Sequence, residues 1–114
     1  MFRKKDLSLG RVYDTISIRE GSERLVLHVN NDPNRIVIGM NEAQKRLKSI
    51  DKDTTDEERA EIARFFANVI FGDEQTQKLF DFYYGDAMCV ISIASKYFSE
   101  RLAKKIIEAQ KKAK

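Results

Sequence analysis

The 114-residue chain contains one cysteine, one proline, one histidine and five scattered glycines, and each scarcity removes a class of explanation. A single thiol, Cys89, forms no internal disulfide, so stability has to come from packing, as in a reducing compartment. The only histidine, His28, excludes multi-histidine metal sites, and its place in a strand opposite Leu27 and Val29 argues against a triad. The glycines occur singly, without the G-x-G-x-x-G or P-loop spacing that lets backbone N–H groups surround a phosphate. No stretch approaches the roughly 18 consecutive apolar residues of a membrane span. The opening MFRKKDLSLG also lacks the apolar run of a secretory signal. A cytoplasmic protein without membrane contact is the expectation.

What is present is the composition of one globular domain, 42% hydrophobic and 34% charged. Its length suffices to bury about two thirds of the surface exposed by the unfolded chain. The net charge of +3 is unevenly spread: Glu100 to Lys114 carries +4 and the remainder −1, with six acids between Asp51 and Glu61. Lysines in the last turns of a helix complement its dipole. The basic end therefore reads as a solvated helix terminus rather than a nucleic-acid contact.

The first forty residues alternate in the manner of strands. Val12, Ile16 and Ile18 share one face of RVYDTISI, and Leu25, Leu27 and Val29 share one face of RLVLHVN, with the loop REGSE between them. After the turn-forming NNDPN, the residues RIVIGM repeat the alternation at Ile36 and Ile38, which predicts a third strand and an antiparallel meander. From Asn41, a plausible N-cap, the period becomes helical, with Ala43, Leu47 and Ile50 marking a short peripheral helix on the sheet. Thr54 with Glu57, or Thr55 with Glu58, has capping-box spacing, so a second helix starts near Asp56 and presents Ile62, Phe65, Phe66, Val69 and Ile70 to a core. Gly72–Asp73 and Gly85–Asp86 punctuate a third and a fourth helix, the last striped by Met88, Ile91, Ala94, Phe98, Leu102 and Ile106. The expected fold is one α+β domain over residues 1–114. Residues 1–40 form a small N-terminal antiparallel β-meander, and residues 41–114 four helices, the last three making the helical core.

Candidate chemistry has structural explanations. His28 lies in a strand on the face opposite Leu27 and Val29, and Cys89 lies in an apolar helix without a neighbouring cation to activate it. DKDTTDEE imitates the start of a calcium loop, but Asp56 stands where glycine is needed and Ile62 where a bidentate glutamate belongs. No catalytic residue, cofactor or metal is expected.

The aromatic residues are the exception. Seven of eleven lie between Phe65 and Asp86. Phe65, Phe66, Phe80 and Phe98 fit core stripes, whereas FDFYY spreads rings over more than one helix face, too many for one core. Phe82, Tyr83 and Tyr84, together with Tyr97, are the candidate protein-interaction residues, since a tyrosine ring buries area while its hydroxyl remains satisfied.

The run FFANVIFGDEQTQKLFDFYYGDAMCVISIASKYFSERLAKKIIEAQKK, with its glycine-aspartate punctuation, aromatic cluster and ending RLAKKI plus AQKK, resembles the C-terminal halves of small prophage-encoded proteins similar to tail assembly chaperones of long-tailed bacteriophages. The resemblance covers Arg64 to Lys112. It implies a non-enzymatic, oligomer-forming protein of the bacterial cytoplasm that binds a phage structural partner, the tape-measure or tail-tube protein. A structural tail component, or a nucleic-acid-binding regulator using the lysine-rich last helix, are the alternatives.

Overall fold

The computed structural model of the protein describes residues 10–112. The segment weighed against a secretory signal lies, apart from Gly10, outside the described residues. Strands β1 (Val12–Glu20) and β2 (Glu23–Asn31) form an antiparallel hairpin. Helices α1 (Pro33–Lys48), α2 (Asp56–Phe71) and α3 (Asp73–Phe82) follow. A last helix runs without a break through α4 (Ala87–Tyr97), a π-helical turn (Phe98–Leu102) and α5 (Ala103–Lys112). A small N-terminal antiparallel sheet followed by four helices is an α+β architecture.

The hairpin follows its alternation. Ile16 pairs with Leu27 and Ile18 with Leu25, placing the apolar side chains on one face. The five-residue REGSE loop contracts to Gly21 and Ser22, because Arg19 pairs with Arg24 and Glu20 with Glu23.

The third strand is absent: RIVIGM is helical. Asp32 is an N-cap whose carboxylate accepts a 2.8 Å hydrogen bond from the Asn34 N–H, and Pro33 occupies the start of the helix. Proline needs no donor there, and its fixed φ suits the first helical turn. Ile36, Met40 and Ala43 are buried at helical spacing, while Val37 and Ile38 face outward. Asn41 is an exposed mid-helix residue, not a cap. Nor is this helix peripheral, since it packs against α2 and α5 and belongs to the core with the other three. Gly39 marks the close approach to α2: a Cβ there would stand 2.7 Å from Val69 Cγ1.

Helix α2 opens with the Thr55–Glu58 capping box, each side chain accepting from the other's backbone N–H at 3.1 Å. Ala63, Phe66, Ala67, Ile70 and Phe71 are buried. The inward face is thus rotated from the expected one, and Phe65 is half-buried beneath the Arg46 guanidinium, 3.9 Å above its ring. Gly72 separates α2 from α3 with φ 81° and ψ 167°, a region essentially restricted to glycine. Asp73 is the first residue of α3 rather than its cap, which is Gly72. Asp86 caps α4, accepting from the N–H groups of Met88 and Cys89 at 3.0 and 3.1 Å.

Burial along the last helix steps through Val90, Ala94, Tyr97, Leu102, Ile106 and Ala109. The one interval of five, from Tyr97 to Leu102, is the π-turn, closed by the Ala103 N–H on the Phe98 carbonyl. That extra residue returns Leu102, Ile106 and Ala109 to the inward face. Met88, at the head of the expected stripe, is exposed instead.

Candidate functional site

The four rings of FDFYY are divided by the end of α3. Phe80 points into the core, with the Arg64 guanidinium 4.5 Å from its centroid. Phe82 is half-buried and meets Tyr83 edge-on, with centroids 5.1 Å apart. Tyr83 is half-buried too, and its hydroxyl donates to Glu20 Oε1 at 3.0 Å, fastening the hairpin tip to the α3 end. Burial, reinforced by the Glu20 hydrogen bond and charge, pushes the Tyr83 phenol up to about 12.

Tyr84 stands apart. The helix ends with the Gly85 N–H on the Phe80 carbonyl at 2.8 Å and the Tyr84 N–H on the Asp81 carbonyl at 3.2 Å, the paired bonds of a Schellman motif. Such a motif places its penultimate residue in the left-handed region and usually assigns glycine to it. Here Tyr84 has φ 54° and the ring is 88% exposed. Gly85, expected to fill that position, comes one residue later. Exposed Met88 follows as the second residue of α4, completing an apolar corner between the helices.

Tyr97 does not belong to this corner. It is buried, stacks on Phe71 with centroids 5.7 Å apart, and donates from its hydroxyl to Asp14 Oδ2 at 2.8 Å. Asp14 Oδ1 also receives Arg101 Nη2 at 2.6 Å, and Lys105 Nζ lies 3.9 Å away. The carboxylate is only 8% exposed, so these donors replace its lost water. Burial and the Asp14 carboxylate push the Tyr97 phenol upward. The π-turn starts directly after Tyr97 and contains Arg101, and both side chains reach the same carboxylate.

A groove of about 340 Å³ runs beside this node, between Ile16–Glu20 of β1 and Ile93, Lys96, Tyr97, Glu100 and Arg101 of the last helix. Periodicity gave no sign of it, because its walls come from distant parts of the chain. The one available hint was that a small sheet has an unpaired edge. A second cleft, of about 440 Å³, lies between β2, α1 and α2. Two of its asparagines hold the chain together: Asn31 Nδ2 donates to the Val69 carbonyl at 3.0 Å, and Asn30 Oδ1 accepts from Arg11 at 2.9 Å.

The remaining candidates have local partners. His28 is exposed, with Nδ1 3.2 Å from Thr15 Oγ1. Burial and neighbouring Asp86 push the Cys89 thiol up, away from a reactive thiolate. Asp51 Oδ1 accepts from the Asp53 N–H at 2.9 Å and shapes the turn before α2. Among the described residues, no three histidine, cysteine, aspartate or glutamate side chains converge on a possible metal position. Nor is any described helix long and apolar enough to cross a membrane.

Comparison with family models, curated proteins and solved structures returns no match. The features that stand out are therefore the aromatic corner and the groove along β1, joined where Tyr83 meets Glu20.

Proposed function

We propose that the protein is a non-enzymatic, oligomeric assembly factor of the bacterial cytoplasm that binds a structural protein of a phage tail, the tape-measure or tail-tube subunit. The observation that carries the binding role is Tyr84, an aromatic ring held in solvent by a backbone conformation that costs an L-residue about 1–2 kcal/mol. Helix termination alone would be served better by glycine. With Phe82 and Met88 beside it, the ring offers an anchor of the kind an amphipathic helical segment engages. The resemblance of Arg64–Lys112 to tail assembly chaperones supplies the identity of the partner. Nucleic-acid binding has less to draw on, because Arg101 and Lys105 are turned toward Asp14.

Co-expression with the proteins of its own gene neighbourhood, together with a tape-measure and a tail-tube protein of a long-tailed phage, tests the proposal. The wild-type protein should co-purify with one of them, and Tyr84→Gly should lose the partner while remaining folded. Binding unchanged by the substitution would remove the corner from the interface, and failure of wild-type binding to all of these proteins would remove the assembly role.

A further inference from the structure

The hydrogen bonds of the hairpin identify which backbone groups of β1 point away from β2. Antiparallel pairs alternate between residues that exchange both backbone bonds and residues whose backbone groups face outward. The Thr15 N–H donates to Oδ1 of its own neighbour Asp14 at 2.9 Å, the Thr15 carbonyl accepts from Arg101 Nη2 at 3.4 Å, and the paired His28 N–H donates to Gln75 Oε1 at 2.8 Å. Thr15 and His28 are therefore an outward-facing pair. Ser17 and Arg19, two and four residues farther along, share that orientation on the β1 side. Among the described residues nothing hydrogen-bonds their backbone N–H or carbonyl groups. These groups open into the 340 Å³ groove, where Ile18 and Ile93 are half-buried.

We propose that this edge pairs with the same edge of a second copy, two β1 strands running antiparallel about a two-fold axis through Ile18 and joining two hairpins into one four-stranded sheet. The proposal rests on the oligomeric part of the function proposed above and names its interface. In this register Ser17 of one copy faces Arg19 of the other, and each such pair exchanges both of its backbone hydrogen bonds. Ile18 meets its own counterpart on the axis, in the closely spaced type of antiparallel pair, on the face that also carries Ile16.

The charges favour a copy over a partner of one sign. Arg19, Lys96 and Arg101 line the groove with Glu20 and Glu100, and Asp14 adjoins Arg101. A surface meeting itself must carry both signs, arranged so that a two-fold rotation brings unlike charges together. Reversal of the strand does this here, turning the Glu20 end of one copy toward the Arg101 end of the other. The edge also lacks a proline or bulge, common devices that keep strand edges apart.

Light scattering over a concentration series, combined with a cysteine scan on a Cys89→Ser background, tests the proposal. The wild-type protein should have the mass of a dimer. Under mild oxidation Ile18→Cys should become a disulfide-linked dimer, whereas Arg19→Cys, which faces Ser17 of the second copy, should not. Ser17→Pro removes an N–H that the hairpin itself does not use, and should return a monomer with the wild-type circular dichroism spectrum. If Ser17→Pro does not fold, Ile18→Lys, which sets two like charges on the axis, provides the second test. A wild-type monomer would overturn both the oligomeric reading and this interface. A wild-type dimer that stays dimeric in the folded edge variants, or fails to cross-link at position 18, would overturn only the interface.

Discussion

Removing the Asp14 carboxylate should destabilise the protein by an amount that can be estimated from its partners. In Asp14→Ala the buried Tyr97 hydroxyl loses a 2.8 Å charge-assisted hydrogen bond, a contribution of about 1.5–3 kcal/mol. Arg101, 47% exposed, regains water on release, so its pair adds only about 0.5–1 kcal/mol. Relief of the carboxylate's own desolvation offsets part of both, which leaves a net loss of about 2 kcal/mol. With a urea slope near 1–3 kcal/mol per molar, the unfolding midpoint should fall by roughly 1 M. Tyr97→Phe should reproduce part of the loss, and the double variant should cost less than the sum of the singles, with a coupling of about 1–2 kcal/mol. Urea denaturation followed by far-ultraviolet circular dichroism supplies all four corners of the cycle. Additive costs, or an Asp14→Ala midpoint indistinguishable from wild type, would refute the assignment of this node as the fastening between β1 and the last helix.

Tyr84→Gly should raise stability by about 0.5–1 kcal/mol, left-handed strain being relieved at some cost in unfolded-chain entropy; a lower melting temperature would contradict it. Gly39→Ala should lose about 1 kcal/mol despite the better helix propensity of alanine, because overpacking against Val69 costs about 1–3 kcal/mol and the helix gains only about 1. Adding Val69→Ala should recover part of that loss in thermal melts. Raising the pH should unfold the protein through its tyrosines. The folded state holds the Tyr83 phenol near 12 and also raises Tyr97, so both favour the fold fully below about pH 10, the ordinary phenol value. Their contribution should disappear as the pH climbs from 10 through 12, visible as a falling urea midpoint together with delayed phenolate absorbance.

Features governed by neighbours in the chain were legible in advance. The hairpin faces, the Thr55–Glu58 box and the Asp86 cap each depend on residues at most a few positions apart. RIVIGM misled because Ile36 and Ile38 satisfy a two-residue period, whereas the helical partners of Ile36 are Met40, the last residue of the run, and Ala43, beyond it. Asp32 and Pro33 suit a turn or a helix start equally well, and packing against α2 and α5 decides between them. The aromatic excess at Phe80–Tyr84 pointed to rings outside the core, and Tyr84 is one. Tyr97 looked equivalent by residue type, but its partners Phe71 and Asp14 come from other elements. The groove along β1 was invisible for the same reason.

The contacts of Asp14 join residues 83 and 87 positions apart, which sets an order of events during synthesis. At roughly 5–20 residues per second, several seconds separate the making of β1 from the arrival of Tyr97 and Arg101. The hairpin can form early, but the helix that borders its open edge follows every other described element in the chain. A ribosome that stops near Ser99 leaves Asp14 with Tyr97 and without Arg101 or Lys105, and leaves β1 without much of its neighbour. Synthesis of this helix is thus itself the closing step in fastening β1.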